Sequence, residues 1–180
     1  MADQDIWTSV SLPYVRPRRS GQPDAWTEEA AQHGHTGSNI LREVVELYPP
    51  ASVGAALGLR EDEPAVVRRR TVLLDEQPIE LADSYYPASI ARGTRLADMR
   101  KIPGGAPTLL VELGHELVHV EEDVSARPAT EEERELLRLG DHEWVLVLFR
   151  RSLSRDRTPI EVSVLTMVPH GRHLRYKLSL

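Results

Sequence analysis

Cysteine is absent from the 180 residues. Disulfides, thiolate metal sites and a thiol nucleophile are thereby excluded, and the composition suits a cytoplasmic protein. Long apolar runs are missing too. No stretch approaches the ~18 consecutive apolar residues of a membrane helix, and "MADQDIWTSV" has neither the basic opening nor the apolar run of a secretory leader. A concentrated basic surface is also lacking. The formal net charge is -6, and the basic residues, nearly all arginine, are scattered except for Arg16, Arg18 and Arg19 and the run Arg68 to Arg70. A nucleic-acid surface needs a basic patch or stripe, so this chain is not expected to provide one. There is no Ser/His/Asp order and no dinucleotide glycine fingerprint, and "GTRLADMRKIPGGAPT" has no Lys after its glycines to make a phosphate-binding loop.

What is present is globular. Hydrophobic residues make up 41% and charged residues 28%, a composition that folds unaided. The length suits one domain with a real core. The first 38 residues are poor in aliphatic side chains and rich in Pro, Gly, Arg and Gln; residues 1–21 are expected to form an extended arm, and residues 22–180 the domain.

Start and stop signals divide that domain into short elements. In "DAWTEEAAQHG", Thr27, two glutamates and Gly34 mark a short helix with Thr27 as its N-cap. "NILREVVELYPP" is strand-like, and "ASVGAALGLRE" is a helix closed by Gly58. "VVRRRTVLLDEQPIELADSYYP" gives two β-rich runs about a polar turn. "GGAPTLLVELG" is an apolar helix behind Gly104, Gly105 and Pro107. "ATEEERELLRLG" has Thr130 and Glu133 in capping-box spacing, with Gly140 as its stop. A second hairpin fills "WVLVLFRRSLSRDRTPIEVSVLTMVP", and "LRYKLSL" is expected as a final strand. Strands and helices come in blocks rather than strict alternation, which predicts an α+β fold with a mostly antiparallel sheet.

The two hairpins resemble each other. Aligning "RTVLLDEQPIE" with "RSLSRDRTPIE" matches Arg70 to Arg151, Asp75 to Asp156, Pro78 to Pro159, Ile79 to Ile160 and Glu80 to Glu161. Common turn chemistry accounts for such a match; so does a duplicated half-domain whose two hairpins line one shared cleft. Under either account Arg70 and Glu161 are expected to face each other across the sheet.

"HELVH", residues 115 to 119, fits the H-E-x-x-H pattern of zinc peptidases. The preceding helix ends at Gly114, however, and Val118, Val120 and Val124 follow at strand spacing. On a strand the two imidazoles would stand ~13 Å apart, too far for joint ligation at ~2.1 Å each. Ser125 also occupies the place of the extended motif's third histidine. Neither a metal site nor a cofactor is expected.

Two helix starts offer binding chemistry. Gly104, Gly105 and Thr108 precede or open a helix whose free N-H groups favour an anion, or simply make a well-capped connection. Trp26 and Thr27 provide an aromatic wall and a hydroxyl at the other, or a hydrophobic staple. Arg70 and Glu161, inside β-rich runs, are either solvated or clamps for phosphate, carboxylate or hydroxyl groups.

In this order, "AWTEEAAQHG", "PIELADSYYP", "GGAPTLLVELG", "ARPATEEERELL", "RDRTPIEVSV" and "LRYKL" resemble the UTRA domain, the effector-binding half of the HutC subfamily of GntR bacterial transcription regulators. The resemblance covers roughly residues 22–180. It implies a chorismate-lyase-like α+β fold, a homodimer, and a cleft for a small metabolite, in many members a phosphorylated sugar. Carried over, it places Trp26, Thr27, Arg70, Gly105, Thr108 and Glu161 around the effector. The family's second arginine is Val72 here, and an acid before "SYYP" is Ala82, which points to a less charged or more apolar effector. The winged-helix domain of these regulators is not found upstream, so DNA contact is expected only through a domain absent from this chain. Two other functions remain open: an enzyme on the same fold acting on a small carboxylic acid through Arg70 and Glu161, and a dimerisation partner of full-length regulators.

Overall fold

The computed structural model describes residues 7–19 and 22–177. Its first elements are strand β1 (Trp7–Ser9), helix α1 (Leu12–Val15), helix α2 (Ala25–Gln32), strand β2 (Gly37–Leu47) and helix α3 (Ala51–Leu57). The hairpin β3 (Ala65–Leu74) and β4 (Gln77–Pro87) follows, with helix α4 (Ala88–Ala91) and a 3-10 turn at Arg95–Ala97. Helix α5 (Gly105–Glu112), strand β5 (His119–Pro128), helix α6 (Glu131–Leu137), the hairpin β6 (Trp144–Leu153) and β7 (Pro159–Met167), and strand β8 (Arg172–Leu174) complete the described chain.

Local chemistry sets most of these boundaries. Asp75 and Glu76 both have positive φ, 47° and 67°, the backbone that closes a two-residue hairpin without splaying its strands. Gly58, at φ 69°, takes the left-handed position that stops α3. At α6 both halves of the capping box form between Thr130 and Glu133.

Three expectations are corrected. Thr27 is not the cap of α2: Asp24 is, its carboxylate accepting the Thr27 N-H at 2.9 Å. Gly140 is not the stop of α6, because Arg138 already adopts the left-handed conformation at φ 56°. The last strand is Arg172–Leu174 rather than a run from Leu174 onward, and it pairs in parallel with β1; Leu178 to Leu180 lie outside the described residues. Within the predicted arm, Trp7–Ser9 is that partner strand and Leu12–Val15 is helical. Met1 to Ile6, Ser20 and Gly21 lie outside the described residues.

The main sheet has six strands in the order β2-β3-β4-β7-β6-β5, every neighbouring pair antiparallel. This order is its own mirror about the β4–β7 pair. Helix, strand, helix and hairpin run α2-β2-α3-β3-β4 in the first half and α5-β5-α6-β6-β7 in the second. The register irregularity at Val72/Leu73 in one hairpin recurs at Ser152/Leu153 in the other. The likeness of the two hairpins therefore extends to whole halves related by an approximate two-fold axis.

Strand alternation gives the sheet two unlike faces. Helices α3 and α6 cover one, where Val53 and Leu57 pack with Val67, Tyr85 and Val162, and Leu137 with Leu81, Val145 and Val147. On the other, Trp26 and Ala30 of α2 meet Val72 and Ala82, while Leu109 and Leu110 of α5 meet Val66, Tyr86 and Ile160. Helix α2 lies so close to β2 that a Cβ on Gly37 would stand 2.7 Å from the Ala30 Cβ and 2.8 Å from the Trp26 carbonyl oxygen. Among the described residues no helix is long and apolar enough to cross a membrane.

Candidate functional site

The face under α2 and α5 is polar at its centre. Arg70 stands opposite Ala82, Ala82 opposite Leu165, Ser84 opposite Ser163, and Ser163 opposite Arg150. Side chains of opposed residues share a face. A cavity of about 140 Å³ opens there, lined by Trp26, Arg70, Val72, Glu80, Ala82, Tyr86, Arg150, Glu161, Ser163 and Leu165, with Gly104 to Pro107 at the start of α5. A smaller one of about 100 Å³ adjoins it and shares Asp24, Asn39, Arg70 and Tyr86.

Of the residues expected from the sequence, Trp26, Arg70, Gly105 and Glu161 are brought together around this cavity. Trp26 is buried, with its indole N-H donated to the Leu73 carbonyl at 2.8 Å. Thr27 and Thr108 do not line it. The Thr27 hydroxyl donates to Asp24 Oδ1 at 2.9 Å, and the Thr108 hydroxyl donates to the Gly104 carbonyl at 2.8 Å and accepts the Arg18 N-H at 2.9 Å. Both hydroxyls are engaged within the fold.

Arg70 and Glu161 are joined by a chain of hydrogen bonds. Arg70 Nη2 donates to Ser84 Oγ at 3.2 Å, the Ser84 and Ser163 hydroxyls lie 2.9 Å apart, and Ser163 donates to Glu161 Oε1 at 2.8 Å. The Tyr86 hydroxyl donates to the same carboxylate oxygen at 3.1 Å. Burial, reinforced by that carboxylate, holds the Tyr86 phenol well above its ordinary pKa, so it remains a donor. The Arg70 guanidinium makes no ion pair with a described carboxylate, and its buried Nε has no acceptor. Such a group can grip an oxyanion entering the cavity.

Sequence reasoning missed Ser84, Tyr86, Ser163, Glu80 and Arg150. The hairpin likeness held the signal for Arg150, read one residue out of step. Arg70 pairs with Ala82, two residues beyond Glu80; the residue paired with Ser163, two beyond Glu161, is Arg150 rather than Arg151. The second turn carries one extra residue, and a one-residue slip changes the face on which a side chain stands. Arg151 accordingly pairs with Glu121 at 3.2 Å, away from the cavity.

The segment before α2 crosses this face. Pro13, Tyr14, Arg16 and Arg18 line the cavity. Glu29 accepts from the Trp7 indole at 2.6 Å, the Ser9 hydroxyl at 2.9 Å and the Tyr14 hydroxyl at 2.6 Å, while Ser11 reaches Glu122 on β5 at 2.9 Å. Burial and the adjacent Glu29 carboxylate raise the Tyr14 phenol above its ordinary pKa. Asp24 anchors the mouth near Lys101, whose ammonium lies 3.1 Å away. Burial alone would raise the Asp24 pKa, but the Thr27 amide and Lys101 bring it below the usual value.

A larger groove of about 480 Å³ lies on the opposite face between α3 and α6. Its arginines are already paired: Arg69 with Asp83 at 3.3 Å, Arg42 with Asp83 at 3.5 Å and Arg127 with Glu133 at 2.6 Å. Among the described residues Arg70 and Glu161 have no such ionic partners, which favours the first cavity despite its smaller volume.

The "HELVH" geometry is not that of a zinc helix. His115 lies in the turn after α5 and His119 opens β5, so the strand begins four residues later than its first histidine. Among the described residues no group of three or more His, Asp or Glu side chains is arranged to hold a metal ion.

Comparison with known proteins agrees with this architecture. An uncharacterized HTH-type transcriptional regulator of Streptomyces coelicolor is 36% identical over 138 residues, which is 75% of this chain and 51% of the relative. The chain thus spans about half the length of the curated relative it matches. The effector domain of PhnF from Mycobacterium smegmatis superposes with a TM-score of 0.72 at 18% identity, covering 92% of this chain and 99% of that one. The C-terminal domain of the histidine utilization repressor from Pseudomonas syringae pv. tomato gives 0.68 at 19% identity, covering 80% and 99%. At such identities these two structures speak for the fold, which is the expected chorismate-lyase-like α+β arrangement. The sequence model of the UTRA domain matches residues 32–170, and on that match the chain belongs to the UTRA domain family.

Proposed function

We propose that this chain is the small-molecule sensing domain of a GntR-type transcription regulator of the HutC subfamily, acting in the cytoplasm as a homodimer and leaving its ligand chemically intact. The observation that carries this reading is the chain from Arg70 through Ser84 and Ser163 to Glu161, set in a cavity with an unpaired guanidinium at one end. The relatives support it: one is an HTH-type transcriptional regulator, one is an effector domain, and one is part of a repressor.

The lining favours an organic acid over a sugar phosphate. Arg70 supplies a two-pronged donor for an acid group, and Glu161 accepts from a hydroxyl or amino group. Val72, Ala82 and Leu165 contribute apolar wall rather than further polar contacts. We place DNA contact in a winged-helix domain outside residues 1–180. The effector acts by binding more tightly to one arrangement of the regulator than to another, and the segment from Trp7 to Arg19, which borders the cavity, is the path to that domain.

Dimerisation fits the edge of β5, which pairs with no second strand among the described residues. Val120 and Val124 on it and Val118 just before it are exposed, and a strand edge with apolar side chains accepts another strand.

Thermal melts against a panel of small organic acids test the sensing function. At least one acid should raise the melting temperature, and Arg70→Leu should abolish that shift. Pyruvate release from chorismate, lost in Glu161→Ala, would instead make the cavity an active site.

A further inference from the structure

The geometry points to Arg150 as a second cationic anchor of this cavity, and hence to a small diacid, with two acidic groups joined by a short apolar stem, as the ligand class. The inference rests on the reading of the cavity as an effector site.

Three observations carry it. First, the Arg150 side chain is only 9% exposed, lines the cavity, and forms its ion pair through Nε alone, to Glu122 Oε1 at 2.6 Å. Among the described residues no acceptor meets its Nη1 or Nη2, leaving the N-H groups that grip a carboxylate with two parallel bonds. Second, Arg150 is the counterpart of Arg70 under the approximate two-fold axis. The two arginines line the cavity from β3 and β6 with β4 and β7 between them, three strand spacings or roughly 14 Å across at the backbone. Third, the floor between them carries Ala82 and Leu165 beside Ser84 and Ser163, while Glu80 is paired with Arg172 at 2.9 Å and Glu161 accepts from Tyr86 and Ser163 on Oε1. Two guanidiniums lining one cavity, with Ala82 and Leu165 among the residues between their strands, complement two acid groups joined by a short stem.

Glu122 does not cancel this capacity. It is held by Arg150 on one oxygen and by the Ser11 hydroxyl on the other, 2.9 Å away. Burial works against its charge, but Arg150 and Ser11 keep its pKa below the usual value. The Glu122 contact therefore orients the guanidinium through Nε with its other edge free.

Calorimetric titration with malonate, succinate, glutarate and adipate, each compared with propionate at matched ionic strength, tests the assignment. The wild-type chain should bind one of the diacids about tenfold or more tightly than propionate. Arg150→Gln, made together with Glu122→Gln so that no buried carboxylate loses its partner, should lower diacid affinity to near that of propionate. Arg70→Gln should weaken both. Equal binding of diacids and propionate, or diacid affinity indifferent to the double substitution, overturns the diacid assignment while Arg70-dependent binding still upholds the effector site. No Arg70-dependent binding of any of these acids overturns both.

Discussion

Four carbonyl oxygens converge on the guanidinium of Arg68. Those of Leu96, Asp98 and Arg100 lie 2.8, 2.8 and 2.7 Å away and that of Arg95 3.3 Å. The middle arginine run is thus divided by alternation: Arg68 fastens the loop after α4, Arg69 pairs with Asp83 on the opposite face, and Arg70 enters the cavity. Arg68→Leu should cost about 3 kcal/mol in urea denaturation, because it leaves several carbonyls without a donor. Arg68→Lys should recover only part of this, since a point ammonium cannot reproduce the fork. The sequence made Arg70 and Glu161 legible because a charge in a β-rich run needs a reason. It did not make Arg150 legible, because one extra turn residue shifted the match to Arg151, nor Ser84 and Ser163, whose role depends on a β4–β7 pairing of residues 79 positions apart.

At the scale of elements, α6 shows how local chemistry becomes stability. Thr130 accepts the Glu133 N-H at 3.2 Å, Glu133 accepts the Thr130 N-H at 2.9 Å, and Arg127 clamps the same carboxylate at 2.6 and 2.7 Å. Thr130→Ala should cost about 1 kcal/mol by thermal or urea denaturation. The Glu133 pKa is lowered, chiefly by its bond to Arg127. A group depressed in the folded state stabilises above its unfolded pKa of about 4.3 and loses that contribution as pH falls through the lower folded value. Glu133→Gln should therefore flatten the acid limb of the stability profile while lowering stability at neutral pH. This box was readable because its residues are three apart. The end of the same helix was not, because Arg138 takes a left-handed conformation that sequence assigned to Gly140. The cap of α2 shifted for a similar reason: Asp24, Thr27 and the adjacent β2 backbone compete for the same hydrogen bonds, and the carboxylate takes the cap.

For the whole molecule, the approximate two-fold axis is the organising feature. It places one arginine from each half on the cavity face and puts β2 and β5 at the two edges of the sheet. The block pattern of strands and helices announced an antiparallel α+β sheet, and the hairpin likeness hinted at the repeat, but the mirror-related strand order required the long-range β4–β7 pairing. If the β5 edge joins two copies, Val120→Glu with Val124→Glu should convert a dimer to a monomer in sedimentation velocity without lowering the melting temperature of the monomer; a dimer that persists places the interface elsewhere.

The central claim is that the cavity around Arg70 and Glu161 retains a small acidic ligand. Native mass spectrometry of the chain after incubation with a mixed library of small organic acids tests it most directly. The account predicts one retained acid per chain for the wild type and for the exposed control Arg60→Ser, and none for Arg70→Leu. Retention undiminished by Arg70→Leu, or no retained acid in any of the three proteins, would contradict it.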